Sequence, residues 1–172
     1  IYACNGILFN HESPLRGEEF ITRKITLGLA KIFLNKQKIL KIGNIYSRRD
    51  WGYAEDYVEA MWKMMQTKKP SDYVIATGKN YSVKQFINQC ISVMKLKTRW
   101  VGKDLNEKLI DKKSKKILIS IDKKYFRPAE VENLKGDFSK AKKDLKWKPK
   151  TNFNELVKKM MLSDLEFVKN KF

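Results

Sequence analysis

The chain has 172 residues, 42% of them apolar, 12% aromatic and 33% charged. It can therefore bury a substantial core, and collagen-like, disordered and disulfide-scaffold classes are excluded. A formal charge of +18 invites a nucleic-acid reading, but only six of the 37 basic residues are Arg; base recognition favours the planar Arg fork, so dispersed Lys reads as a solvated surface and no nucleic-acid partner is expected.

From the first residue, Ile1 rather than Met, Tyr2 to Phe9 reads as a strand without a charged leader, which suggests a piece of a longer chain. A polar loop, Asn10 to Glu18, follows. Ile21, Ile25, Leu29, Ile32 and Phe33 then recur at the spacing of one helix face. Ile39 to Ile42 is a short strand ending at Gly43. Asp56 with Glu59 three residues on predicts a capping box and a helix whose buried stripe is Val58, Met61, Trp62 and Met65. Tyr73 to Ala76 is β-rich, and Ser82 with Gln85 opens a helix burying Val83, Phe86, Ile87, Cys90, Ile91 and Met94.

The middle of the chain changes character. Arg99 to Val101 reads as a short strand, and Ile117, Ile119 and Ile121 alternate with Leu118 and Ser120 as in a half-buried strand, with a turn at Lys112 to Lys116 between them. A short helix is expected around Ser139 to Leu145. Asn152 and Glu155 cap a final helix carrying Phe153, Leu156, Val157, Met160, Met161, Leu165 and Val168 on one side. Alternating β and α elements followed by a mixed region predict an α/β layer joined to a smaller α+β lobe. No apolar run approaches the roughly 18 residues that cross a bilayer, so no membrane partner is expected. Cys4 and Cys90 read as reduced, buried thiols, which suits a cytoplasmic setting. With one histidine and no cysteine cluster, no metal site is expected.

Several catalytic signatures are missing. The eight glycines form no phosphate-cradling Gly-rich turn, no Tyr has a Lys four residues later, and a single His leaves little room for a nucleophilic triad. What remains are Arg-bearing loops at strand ends, where open α/β sheets place ligands. In Asn10 to Gly17, Asn10 suits a sugar hydroxyl and Arg16 a phosphate, although local turn bonding explains the same residues equally well. Arg48-Arg49-Asp50-Trp51 reads either as a surface ion pair or as an Arg beside an aromatic ring around a pyrophosphate. Arg127, followed by Pro128, either caps a helix or clamps a phosphate. Lys24 flanks its apolar stripe, where a solvated surface role is the default, and His11 reads as a hydrogen-bonded loop residue.

Taken together, Asn5 to Pro14, Thr22 to Thr26, Arg49 to Trp62, Tyr73 to Gly78 and Tyr125 to Val131 resemble the GDP-mannose 4,6-dehydratase family of extended short-chain dehydrogenases, along the whole chain and over its carboxyl-terminal half only. The resemblance implies the last part of a Rossmann-type parallel sheet plus a smaller α+β substrate-binding lobe over residues 1–172, with the amino-terminal NADP-binding region missing. It implies that Asn10, Lys24, Arg49, Arg127 and Glu130 contact GDP-mannose, with Arg49 and Arg127 on the pyrophosphate, and that His11 and Arg16 contact NADP. The chemistry it implies is an internal redox dehydration. Hydride leaves C4 of mannose for NADP, water is lost across C5 and C6, and the hydride returns to C6.

The catalytic Thr, Glu, Tyr and Lys of that chemistry are not in this chain, which alone is expected to be inactive. The family implies a homo-oligomer, dimer or tetramer, for the full-length protein. The readings kept beside this one are another nucleotide-sugar epimerase or dehydratase and a basic nucleic-acid-binding protein.

Overall fold

The computed structural model of the protein describes residues 1–126 and 131–171. In chain order the elements are β1 (Gly6–Leu8), β2 (Asn10–Glu12), α1 (Ile21–Phe33), β3 (Leu40–Ile42), β4 (Arg48–Arg49), β5 (Trp51–Tyr53), α2 (Ala54–Met64), β6 (Tyr73–Ile75), β7 (Tyr81–Ser82), α3 (Val83–Val93), β8 (Thr98–Val101), β9 (Lys108–Asp111), β10 (Ile117–Ile121), α4 (Ser139–Asp144) and α5 (Phe153–Lys171). They fall into two compact units. The first comprises Ile1–Ser13, Arg48–Tyr81 and Asn133–Leu156, and the second Pro14–Ser47, Ser82–Glu132 and Val157–Phe172.

In the first unit β1 runs parallel to β6, with Gly6 opposite Tyr73 and Leu8 opposite Ile75. A second parallel pair joins β2 to β5, with Asn10 opposite Trp51 and Glu12 opposite Tyr53. The polar stretch expected as a loop therefore begins with a strand: ladder hydrogen bonds to β5 supply the order that its side chains do not advertise. The core gathers Tyr57, Ala60 and Met64 from α2, Tyr73 and Ile75 from β6, Ala141 from α4, and Leu145 and Trp147 beyond it. Trp147 is fully buried and its indole Nε1 donates to the Asp56 carbonyl at 2.9 Å.

Helix α2 differs from its sequence expectation in two ways. It begins at Ala54 with no side-chain cap bond, and Asp56, instead of capping, is buried and accepts from the backbone N–H groups of Lys150 and Thr151 at 3.1 and 2.9 Å. Those two bonds and the Trp147 bond fix the helix rotation. The inward stripe is Asp56, Tyr57, Ala60 and Met64, while Val58, Met61, Trp62 and Met65 are 60, 39, 63 and 54% exposed. A helix apolar on both faces gives no sequence signal for which face turns inward.

In the second unit α1 packs against α3, burying Ile25 and Leu29 with Phe86, Ile87 and Cys90. Burial pushes the Cys90 thiol pKa well up, so it behaves as a small apolar side chain. The sheet order is β3-β10-β9-β8, with β3 parallel to β10 and the other pairs antiparallel. A register irregularity between Ile117 and Ile119 breaks the expected alternation of β10, so Leu118 and Ile119 are both buried and Ile117 is exposed. The Lys112 to Lys116 stretch is an exposed turn in which Asp111 Oδ1 accepts from the Ser114 amide and hydroxyl at 2.6 and 2.8 Å.

The capping box of α3 forms as read, with Ser82 Oγ accepting from Gln85 N at 3.1 Å and Gln85 Oε1 from Ser82 N at 2.8 Å. Asn152 and Glu155 do the same for α5 at 3.1 and 3.0 Å. Along α5, Leu156, Val157, Met160, Met161 and Val168 are buried, and so is Asp164, which the apolar spacing passed over. Among the described residues no helix is long and apolar enough to cross a membrane, and no His, Cys, Asp and Glu cluster has metal-ligand spacing.

Candidate functional site

The candidate residues of the first unit are carried by short strands. Asn10 and His11 sit half-buried on β2, opposite Trp51 and Gly52, the residues just beyond Arg49 and Asp50. His11 Nδ1 lies 3.0 Å from the Phe9 carbonyl oxygen, and its ring packs 5.4 Å from that of Tyr57. Arg49 is half-buried on β4, where its Nη1 donates to the Arg48 carbonyl at 2.9 Å. Arg48 turns the other way, donating from Nη2 to the Asn80 carbonyl at 3.0 Å and from Nε to Asn80 Oδ1 at 3.2 Å.

Neither sequence reading of Asp50 and Trp51 survives. Asp50 is fully buried, and no surface pair: it accepts from Thr77 N (2.9 Å), Thr77 Oγ1 (2.5 Å), Gly78 N (3.0 Å) and Gly136 N (3.2 Å). One carboxylate thus ties the segment bearing Arg49 to the turn after β6 and to the stretch before α4. Gly78 takes φ +73°, a left-handed conformation that turns its N–H into this cluster at no side-chain cost. Trp51 lies in the core, 3% exposed and stacked 6.4 Å from Phe153, so no ligand meets its ring.

In the second unit the Arg16 guanidinium lies 3.5 Å over the Phe20 ring, which holds its plane. One turn into α1, Lys24 is half-buried, contrary to the solvated role its flanking position suggested. Its Nζ sits 3.5 Å above the Tyr125 ring, and partial burial lowers its pKa against an opposing pull from Asp122. Lys24, Lys31, Gln37, Lys41 and Tyr125 line a cleft of about 350 Å³. Gly43 lets the chain at Tyr125 approach, because a Cβ there would overlap the Tyr125 carbonyl. Arg127 and Glu130 lie outside the described residues, so their expected contacts are not located.

Sequence reasoning missed Tyr125, the buried Asp50 cluster and a buried Arg23–Asp164 pair. Tyr125 stood inside a motif already singled out, and its place under a lysine needed only the question of what that motif faces. The other two join residues 27 positions apart or more, up to Arg23 with Asp164, and no local spacing announces them. Chemically, both units present guanidinium or ammonium groups on fixed backbone, which is what recognition of a phosphate ester requires.

The fold recurs in solved structures. The chain superimposes on RMD from Pseudomonas aeruginosa, solved with NADPH, at a TM-score of 0.77 with 16% identity, covering 95% of this chain and 48% of that one. It superimposes on UDP-glucose 4-epimerase from Thermotoga maritima, solved with UDP-glucose, at 0.68 with 18% identity, covering 98% and 47%. The architecture is therefore part of a mixed α/β, Rossmann-type sheet with parallel strands, as expected.

Sequence comparison narrows this class. The family model for GDP-mannose 4,6 dehydratase matches residues 1–160. The chain is 51% identical over 170 residues to GDP-mannose 4,6 dehydratase of Dictyostelium discoideum, covering 99% of this chain and 48% of the relative. It is 47% identical over 169 residues to that of Homo sapiens, covering 98% and 45%. The chain belongs to the GDP-mannose 4,6 dehydratase family and spans about half the length of these curated relatives.

Proposed function

We propose that the chain is the carboxyl-terminal, nucleotide-sugar-holding portion of an NADP-dependent GDP-mannose 4,6-dehydratase, inactive alone and working within a longer cytoplasmic, oligomeric protein. The single observation that carries this reading is identity at about half of all positions with enzymes of that name over nearly the whole chain. Residues 1–172 then contribute the end of the cofactor-binding sheet and most of the substrate lobe, and the catalytic Thr, Glu, Tyr and Lys belong to the other half.

Arg49 and Arg127 are assigned to the diphosphate, whose roughly two negative charges suit paired guanidinium forks. Asn10, Lys24 and Glu130 are assigned to the remainder of GDP-mannose. Lys24 favours this role because Tyr125 and partial burial already hold its ammonium in a cleft.

The residues present suit a phosphorylated dinucleotide. Arg16 is a cation with its plane fixed on Phe20, and His11 offers a ring held through Nδ1, so these two would hold NADP. NADP supplies the hydride acceptor and donor of the reaction. This chain's own part is to bind and orient: Arg49 neutralises the diphosphate, Asn10 offers both a donor and an acceptor to a hydroxyl, and Lys24 supplies a partly desolvated charge.

Calorimetric titration of the full-length protein with GDP-mannose, UDP-glucose and double-stranded DNA tests the reading. GDP-mannose is expected to bind at least about tenfold more tightly than UDP-glucose, with Arg49→Ala weakening GDP-mannose. Preference for UDP-glucose moves the protein to another nucleotide-sugar enzyme. DNA binding that falls steeply with salt, without GDP-mannose binding, moves it to the nucleic-acid class.

A further inference from the structure

Arg23 stands beside Lys24 in the same basic motif, yet its guanidinium is buried, paired with a carboxylate and donating to two backbone carbonyls. Arg23 is 8% exposed, its Nε lies 2.7 Å from Asp164 Oδ1, and its Nη1 donates to the carbonyl oxygens of Pro14 and Arg16, the latter at 3.2 Å. Its outer face lies over the Phe167 ring, 5.8 Å from Cζ to centroid. Asp164 is fully buried on α5 and also accepts from Thr26 Oγ1 at 2.5 Å. A guanidinium matched to one carboxylate and two carbonyls is committed, so Arg23 is no phosphate ligand despite its motif.

The two carbonyls that Arg23 holds flank Leu15 and belong to the segment that presents Arg16. Arg16 is thus fixed at both ends. Its own carbonyl is held by Arg23 and its guanidinium by the Phe20 ring, while Phe20 N donates to the Gly17 carbonyl at 3.2 Å to close the turn. A buried ion pair is weak support for stability, since apolar packing of the same volume does as well or better. Its distinctive product is placement: the guanidinium donates along fixed directions, and no apolar residue in its stead would hold those carbonyls.

We propose that Asp164 and Arg23 are positioning residues, a buried strut from α5 through α1 that fixes the Pro14–Gly17 segment and so sets where Arg16 meets an anionic group of the dinucleotide cofactor. The cofactor clause rests on the reading of Arg16 given under the proposed function. The strut itself rests only on the geometry above.

The experiment uses the full-length protein with Arg16→Ala, Asp164→Asn, Arg23→Lys and the Arg16→Ala/Asp164→Asn double variant. It measures NADP affinity, GDP affinity and hydrogen exchange of the Leu15, Arg16 and Gly17 amides. Asp164→Asn keeps the volume and the Thr26 acceptor but removes the charge. It is expected to speed exchange at these amides and to weaken NADP about tenfold while leaving GDP unchanged, the scale of one lost charge-assisted bond. Arg23→Lys keeps the charge without the fork and should do the same. The double variant should bind NADP no more weakly than Arg16→Ala alone, because both changes remove one contribution.

Unchanged exchange in Asp164→Asn overturns the strut. Equal losses of NADP and GDP affinity, with a fall in Tm, overturn it in favour of a merely structural pair. If Arg16→Ala leaves NADP binding untouched, the cofactor assignment of Arg16 falls, and exchange still decides the strut.

Discussion

Replacing Asp50 is the sharpest test of how the Arg49 segment is held. Four hydrogen atoms end on this one fully buried carboxylate, three of them from backbone amides and one from the Thr77 hydroxyl. A hydrogen bond to a charged acceptor contributes about 1.5–3 kcal/mol, and a buried N–H left without a partner costs about 1–3 kcal/mol. Adding four such terms overshoots, because the turn after β6 relaxes toward water once released. Asp50→Ala should therefore cost about 3–5 kcal/mol, the range of broken buried networks and a large share of a typical domain's stability.

Asp50→Asn is the more telling variant. Its oxygen still serves Thr77, but the amide group must face the N–H groups of Gly78 and Gly136, donor against donor, for a loss of about 2–4 kcal/mol. Urea unfolding of the full-length protein, followed by circular dichroism, gives the change in midpoint at constant slope. Hydrogen exchange should also quicken at Gly78 and Gly136 before global unfolding. An Asn variant within about 0.5 kcal/mol of the parent, in the range of neutral surface changes, refutes the reasoning.

Three further outcomes follow from single positions. The outward apolar stripe of α2 should drive the isolated 172-residue chain to self-associate, and Trp62→Glu with Met65→Lys should shift it toward monomer in sedimentation velocity; a parent chain that sediments as a monomer contradicts this. Lys95 ends α3 at φ 56°, so Lys95→Gly should raise stability by about 0.5–1 kcal/mol, read by thermal melting, and a loss in Tm counts against it. The Tyr46 hydroxyl donates a hydrogen bond to Glu107 Oε2, which pushes the pKa of that phenol up to about 12. The protonated form is favoured in the fold, so this contribution is intact below about pH 10 and is lost as pH rises toward 12. Absorbance titration of the parent against Tyr46→Phe should show the missing phenol titrating at the top of that window.

Local chemistry was legible in the sequence and distant chemistry was not. Ser82 with Gln85 and Asn152 with Glu155 announced their helices because both partners lie within three residues, where spacing alone sets geometry. Asp56 with Glu59 shows the same spacing, yet its carboxylate serves amides 94 and 95 positions away. That capture turned the smaller stripe of Tyr57, Ala60 and Met64 inward and left Trp62 outside. Lys95 and Lys146 end helices in the left-handed region, so no Gly marked those stops. The cationic candidates were found by their motifs, but whether each guanidinium faces outward or inward depends on its partners. Arg48 meets Asn80 and Arg23 meets Asp164, and nothing in the residues beside them announces either partner.

The two units solve one problem in complementary ways. A loop that offers a cation to a phosphate must keep its backbone still, because an error of about 1 Å at the charged group costs much of the advantage of orientation. Short strands and turns of two or three residues supply few ladder bonds for that purpose. Beside Arg49 the backbone N–H groups of neighbouring segments converge on a buried acceptor, Asp50; beside Arg16 the backbone carbonyls converge on a buried donor, Arg23. In each case a charged side chain is withdrawn from solvent to hold main-chain groups, which fixes the backbone of the segment that carries Arg49 or Arg16. Buried charge is costly unless every partner is in place. Asp56 is a third case, buried on α2 and accepting from the amides of Lys150 and Thr151, so withdrawn charge in this chain recurs where backbone segments distant in sequence must be held together.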